Sequence, residues 1–187
     1  GIGDDVLDGS AGNDALFGGD TFRGCYPCSD PIWYLTGDDN GSDTYLFGRG
    51  SGQDIIYDRD AIPGNIDTVL LGSDINPSDV RLSRGTDEYG EFNYNMVLSI
   101  AGVTDTLTIY NGADPGGEWQ TEQIRFADGS VWDLATIHQR LLQGTPGDDV
   151  LVGFEMIDNL LDGGAGNDTL YGFNSNDTYI LGYGYGQ

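Results

Sequence analysis

The stretch GIGDDVLDGSAGNDALF at residues 1–17 sets the pattern of the whole chain. It holds two copies of a nine-residue frame: a Gly pair, any residue, Gly, a polar residue, Asp, any residue, a large apolar residue and any residue. Asp5 and Asp14 are nine positions apart, as are Leu7 and Leu16. One apolar position in nine is too little for a helix face, whereas it fits a turn followed by a short strand. Stacked copies would bury a continuous apolar ladder.

The same frame recurs near the end of the chain and in shorter form in between. Residues 144–152 read GTPGDDVLV, residues 163–171 read GGAGNDTLY and residues 172–180 read GFNSNDTYI. Two shorter copies, GSDTY at 41–45 and GQDII at 52–56, keep the Asp. Repetition at a short fixed period indicates a protein built from stacked turns.

The composition favours a cation as partner. The 187 residues include 31 acidic and 7 basic side chains, for a net charge of −24, and 26 of the acids are Asp. This charge excludes nucleic acid as a partner, because a polyanion would be repelled. No apolar run approaches the roughly 20 residues of a membrane helix, so we expect no membrane insertion. Aligned Asp carboxylates repel one another unless a cation lies between them, and Ca²⁺ takes oxygen ligands of this kind.

The frame resembles the G-G-x-G-x-D-x-U-x nonapeptide of the RTX (repeats-in-toxin, haemolysin-type) calcium-binding family. The resemblance implies an all-β fold in which right-handed parallel β-roll segments flank an antiparallel β-rich domain with one short helix. It also implies that Ca²⁺ is bound by the sixth-position Asp of each frame and by backbone carbonyls of the Gly-rich loop. The metal-site residues expected on this basis are Asp5, Asp14, Asp43, Asp54, Asp149, Asp168, Asp177, Gly1, Gly3, Gly12, Gly147, Gly164 and Gly166.

The copy at 153–162 departs from the frame. It has ten residues, with Asn159 in the Asp position and Ile157 in a Gly position, and Ser175 replaces a Gly in the next-but-one copy. Every second unit of such a roll lies on the same edge. We therefore expect Asp149 and Asp168 to share an intact edge, and Asn159 and Asp177 to share one that binds calcium weakly or not at all.

Residues 61–142 lack the frame and alternate between apolar and polar positions, as in an antiparallel meander. Asp133 is placed to cap a short helix that would end before Gly144. The phrases INPSDVRL at 75–82, DTLTI at 105–109 and IRFADGSVWD at 124–133 resemble the haemolysin-type calcium-binding-related region. We therefore expect a first roll over 1–60 with an insertion at 20–36, an antiparallel β-rich domain over 61–142, and the start of a second roll over 143–187.

The end of the chain repeats an earlier stretch. TYILGYGYGQ at 178–187 shares six of ten residues with TYLFGRGSGQ at 44–53. This repetition predicts a tandem array of modules, with further copies as partners in cis or in a polymer.

Cys25 and Cys28 form a C-x-x-C motif inside the insertion. Such a motif is compatible with a redox centre, with half of a zinc site or with a local disulfide. A zinc site needs four ligands, and the chain offers only two thiols and His138. We favour a structural disulfide formed in an oxidising compartment. His138, the only His, is expected to pack structurally, and the sequence shows no catalytic set, so we predict no enzyme activity.

The resemblance implies a secreted, extracellular or cell-surface protein, exported unfolded by type I secretion and folded by external calcium. One function is a structural element, such as an adhesin stalk, a surface layer or an extracellular filament. The alternative is a secretion-and-folding appendage of a hydrolase or toxin whose catalytic domain lies outside this sequence. A third hypothesis, carbohydrate recognition by residues 61–142, depends on aromatic residues such as Trp119.

Overall fold

The computed structural model describes residues 3–19, 41–60, 62–86, 93–182 and 184, together with the backbone of residues 22–23, 34–35 and 92. The described residues are mostly β-strands with a single α-helix, which confirms the expected fold class. The strands are β1 (Val6–Asp8), β2 (Ala15–Phe17), β3 (Phe22–Arg23), β4 (Tyr34–Leu35), β5 (Thr44–Phe47), β6 (Gln53–Tyr57), β7 (Thr68–Leu71), β8 (Val80–Thr86), β9 (Phe92–Ile100), β10 (Thr106–Ile109), β11 (Gln123–Arg125), β12 (Val131–Asp133), β13 (Val150–Val152), β14 (Leu160–Asp162), β15 (Thr169–Tyr171) and β16 (Thr178–Ile180). The helices are a 3₁₀ helix (Pro77–Asp79) and α1 (Leu134–Leu141).

Two five-stranded sheets carry the first roll. One has the order β1-β5-β7-β11-β12 and the other the order β2-β6-β10-β9-β8. Strands β1, β5, β7 and β11 pair in parallel, as do β2, β6 and β10. The sheets are therefore mixed, and the expected antiparallel pairing occurs at β8–β9–β10 and β11–β12. The division of the chain at residue 60 stays a prediction, although both sheets run across it.

The apolar ladder that the repeats predict forms the core of this roll. Leu7, Tyr45, Val69 and Ile124 lie opposite one another on four successive parallel strands. The last three of these side chains are fully buried. A continuous ladder of inward residues therefore runs through the core, because each strand presents alternate side chains to one face.

The second roll is shorter. Strand β13 pairs in parallel with β15, and β14 pairs in parallel with β16. Leu151 and Leu161 are buried on the first strand of each pair, whereas β16 is exposed along its length. This pairing confirms the expectation that every second unit shares an edge.

Helix α1 joins the two rolls as expected. The Asp133 carboxylate caps the helix by accepting a hydrogen bond from Thr136 N–H at 2.8 Å. Ile137 and Leu141 are buried on one face. Among the described residues, no helix has the length and apolar character needed to cross a membrane.

Candidate calcium sites

A ladder of carboxylates runs along the first edge of the first roll. The Asp5 N–H donates to Asp43 Oδ1, the Asp43 N–H donates to Asp67 Oδ1, and the Asp67 N–H donates to Glu122 Oε2, each at 2.8 Å. Each carboxylate thus accepts a hydrogen bond from the turn beside it. The sequence predicted Asp5 and Asp43 for this row, and the structure adds Asp67 and Glu122.

A second ladder follows the other edge. The Asp14 N–H donates to Asp54 Oδ1 at 2.9 Å. The Asp105 carboxylate accepts from Gly50 N–H and Gly52 N–H, both at 2.9 Å. Asp54 and Asp105 are both buried. The predicted ligands Asp14 and Asp54 therefore lie together, and Asp105 extends their row.

The second roll repeats the arrangement. The Asp149 N–H donates to Asp168 Oδ1 at 2.9 Å, and the Asn159 N–H donates to Asp177 Oδ1 at 2.9 Å. The predicted partners on each edge are therefore brought together. Asp149 also forms an ion pair with Arg81, a residue of β8.

A polar side chain one position before the ladder residue connects the turns in the opposite direction. Each accepts a hydrogen bond, at 2.8 to 3.0 Å, from a backbone N–H of the next same-edge turn. The pairs are Asp4 with Ser42, Asn13 with Gln53, Asp148 with Asn167, and Asp158 with Asn176. The fifth and sixth positions of the frame therefore join the same two turns by hydrogen bonds that run in both directions.

Glycines let the turns approach closely. A methyl group on Gly52 would overlap the carbonyl oxygen of Gly12, and one on Gly166 would overlap that of Gly147. Carbonyl oxygens of one loop therefore project onto the backbone of the next loop. Gly3, Gly12, Gly164 and Gly166 also have positive φ.

Burial, with neighbouring negative charge, raises several carboxyl pKa values. Burial, together with the neighbouring Glu122, Asp43 and Asp60, raises the pKa of Asp67 to about 7. Burial is also the main cause that raises the pKa of Asp54, and nearby carboxylates add to it. A cation beside these groups would reverse this effect, because an opposite charge favours the ionised form.

The oxygen set fits a hard cation. The Oδ2 atom of Asp14 is buried and has no hydrogen-bond partner among the described residues. Ca²⁺ takes carboxylate and backbone carbonyl oxygens, which are the groups that line these turns. In the part of the chain that the structure describes, no three His, Cys, Asp or Glu side chains are placed to hold a metal by themselves. Backbone carbonyls would therefore have to complete each coordination shell, as the Gly-rich loops predict.

Five residues singled out in the sequence add nothing to this description of the calcium sites. Gly1, Cys25 and Cys28 lie outside the described residues. His138 packs its ring 4.8 Å from that of Phe154, and burial lowers its pKa. Trp119 stands edge-on to Tyr110 at 5.1 Å between ring centroids.

The missed ladder residues carry a short sequence signal. Asp67 and Asp105 each precede a Thr and an apolar residue, as do several of the predicted ligands. The tripeptides that share this pattern are Asp43-Thr44-Tyr45, Asp67-Thr68-Val69, Asp105-Thr106-Leu107, Asp168-Thr169-Leu170 and Asp177-Thr178-Tyr179. The pattern marks entry into a parallel strand even where the glycines of the frame are missing. Glu122 carries no such signal.

Comparison with known families agrees with this geometry. Residues 1–21 and 158–185 match the RTX calcium-binding nonapeptide repeat (4 copies), and residues 95–136 match the haemolysin-type calcium binding protein related domain. The chain therefore contains RTX calcium-binding repeats and a haemolysin-type calcium-binding related domain, as the resemblance indicated. RTX repeats bind calcium, so Ca²⁺ is the cofactor of these segments. The copies at 41–56 and 144–152 lie outside the matched ranges.

The chain is also similar to a much longer protein, the iron-regulated protein FrpA of Neisseria meningitidis serogroup C. The two are 32% identical over 114 residues, which is 60% of this chain and 10% of that protein. The similarity therefore concerns a small part of FrpA.

Proposed function

We propose that this chain is a calcium-binding module of a secreted protein, and that it folds when calcium fills its turns. The observation that carries the proposal is the pair of carboxylate ladders in the first roll, where buried acids stack at successive turns beside loop carbonyls. With no cation present, these carboxylates oppose folding. With calcium bound, the binding free energy becomes folding free energy.

The ion ligands in this proposal are the predicted Asp side chains together with carbonyls of the Gly-rich loops. Asp54 is an example in the first roll and Asp168 is an example in the second. Each accepts a hydrogen bond from a turn on the same edge. Extracellular modules typically bind calcium at about 10⁻⁴–10⁻³ M. Such affinity would keep most of the chain unfolded inside the cell and fold it outside, which suits export through a type I secretion channel.

We further propose that the module is a non-catalytic structural element that continues into further modules or copies. Tyr45 of β5 is fully buried, because β7 pairs beside it. Tyr179, at the same place in the repeated stretch, is 45% exposed, and Leu181 beside it is 80% exposed. An additional strand pairing with β16 would cover this apolar surface in the way that β7 covers β5.

The second candidate function is a secretion-and-folding appendage of a longer protein with an activity elsewhere. The observation that favours it is the small fraction of FrpA, 10%, that the similarity spans. In that case the module would fold on calcium and remain monomeric.

Size-exclusion chromatography with light scattering tests both functions. The chain is compared in calcium-free buffer, in 2 mM Ca²⁺ and in 2 mM Mg²⁺. The concentration of 2 mM is about the calcium level expected outside cells. We expect the radius of gyration, measured by small-angle X-ray scattering on the eluting peak, to fall towards about 16 Å with Ca²⁺ alone, from a value that lies below the roughly 46 Å of a fully unfolded chain of this length. Subsequent growth into oligomers or fibres supports the structural element, and a compact monomer supports the appendage. An unchanged radius would refute the proposal.

A matched pair of variants tests the ligand assignment. Asp54→Ala removes a buried carboxylate of the second ladder, whereas Asp128→Ala removes an exposed carboxylate in the turn after β11. Both variants change the charge equally. We expect the first to need more calcium for compaction and the second to behave like the original chain. Equal calcium requirements would contradict the assignment.

A further inference from the structure

The side-chain amide of Asn159 lies among four oxygens in the second roll. Its Nδ2 is 3.0 Å from Phe154 O, 2.8 Å from Ile157 O, 3.1 Å from Gly172 O and 2.8 Å from Asp177 Oδ1. The residue is only 3% exposed. All four neighbours can only accept hydrogen bonds, which fixes the nitrogen rather than the amide oxygen at this point.

These oxygens are the kind that a hard cation takes as ligands: three backbone carbonyls and one carboxylate. They come from two same-edge turns, 153–161 and 172–180, which pair through β14 and β16. The distances of 2.8 to 3.1 Å are those of N–H···O hydrogen bonds. The amide thus points its two N–H bonds into an oxygen cluster whose carboxylate oxygen, Asp177 Oδ1, also accepts from the Asn159 backbone N–H.

The neighbouring edge shows what an Asp does in the same position. The Asn159 Oδ1 accepts from Phe154 N–H at 2.8 Å, and Asp149 Oδ2 likewise accepts from Thr145 N–H at 2.5 Å. The second terminal atom of the side chain differs between the two residues: it is Nδ2 in Asn159 and Oδ1 in Asp149. The Asp149 Oδ1 lies 2.5 Å from the Arg81 guanidinium. On that edge the carboxylate oxygen is therefore paired with a positive group, whereas the amide nitrogen of Asn159 is paired with oxygens alone.

We propose that the amide of Asn159 takes the place of a calcium ion between turns 153–161 and 172–180, so that this pair of turns is held together without calcium. The inference rests on the proposed function, in which calcium fills the equivalent positions beside Asp. The amide supplies donors where an ion would supply positive charge. The edge then folds at any calcium concentration.

The test is Asn159→Asp, which puts a carboxylate oxygen where the nitrogen lies now. That oxygen would face three carbonyls and a second carboxylate, that of Asp177, at about hydrogen-bond distance. We expect the variant to lose hydrogen-exchange protection over 150–180 in calcium-free buffer and to regain it with Ca²⁺. We also expect it to bind one more Ca²⁺ per chain than the original protein, measured by isothermal titration calorimetry.

Gln143→Glu is the matched control, because it adds the same charge at an exposed position of the same roll that lies outside the repeat frame. It should bind the original number of ions. An equal ion count in both variants would overturn the proposal, as would failure of the Asn159→Asp chain to regain protection in saturating Ca²⁺. A separate readout is slow exchange of the Asn159 side-chain amide protons by NMR, with and without calcium; rapid exchange also overturns the proposal. Absence of calcium binding by the original chain would instead refute the proposed function.

Discussion

Gly52→Ala should destabilise the calcium-bound protein strongly. Gly52 has a φ of +97°, which costs a residue with a Cβ about 1–2 kcal/mol. The new methyl group would also overlap Gly12 O, so the loops would have to separate. Separation would break the Gly12 N–H bond to Ser51 O and weaken that of Gly52 N–H to Asp105 Oδ1. At about 1 kcal/mol for a neutral bond and about 2 kcal/mol for a charged one, the total loss is roughly 4 kcal/mol.

Gly50→Ala separates backbone strain from loop contact. Gly50 also has a positive φ, +87°, and its N–H donates to the same Asp105 carboxylate, but a methyl group there would meet no atom within 4 Å. Its expected loss is therefore only about 1–2 kcal/mol. Thermal unfolding in saturating calcium should show the melting temperature falling by roughly 5 °C for Gly50→Ala and roughly 12 °C for Gly52→Ala. Equal shifts would refute the close contact between loops.

Three further outcomes are expected. In calcium-free buffer, the chain should be more compact at about pH 4 than at about pH 7, because folding raises the pKa of Asp67 from 3.8 to about 7 and so favours its protonated form at the lower pH. Asp67→Asn should reduce this pH dependence of the radius of gyration, and an unaltered dependence would contradict the raised pKa. In saturating calcium, Arg81→Gln should cost about 1 kcal/mol, a modest value because Arg81 is 42% exposed although Asp149 is only 6% exposed. Arg125→Gln, at an exposed position beside Gln123, should cost less than about 0.5 kcal/mol; equal losses would show that the ion pair contributes nothing.

The strands of the repeats could be predicted from the sequence because each repeat contains the residues that determine its own turn and strand. Leu7 and Leu16 in the first roll, and Leu151 and Leu161 in the second, mark one inward position per turn, and the strands lie where these positions predict. The helix cap at Asp133 was predictable for the same reason, since it depends on neighbours three residues away. Local chemistry suffices for these elements.

The extension of both sheets into 61–142 could not be predicted in this way. Alternation along β7, β10 and β11 indicates strands but does not distinguish a parallel from an antiparallel partner, because both present alternate side chains. The choice is made by residues far apart in the sequence, such as Val69 pairing with Tyr45 and Ile124. The role of the Asn159 amide likewise depends on carbonyls from two turns. The sequence indicated a weakened edge there, without indicating what replaces the ion.

The hydrogen bonds that link each carboxylate to the next turn have a consequence for how the molecule responds to calcium. Asp43 is oriented by the N–H of Asp5 on one side and orders its own N–H against Asp67 on the other. When one turn unfolds, the carboxylate of the neighbouring turn therefore loses the N–H group that orients it. Nearest-neighbour dependence of this kind makes a stack behave as a zipper, in which ordering spreads from turn to turn. Calcium titrations should then be steeper than independent sites allow, so a narrow range of concentration separates the melted chain from the ordered one.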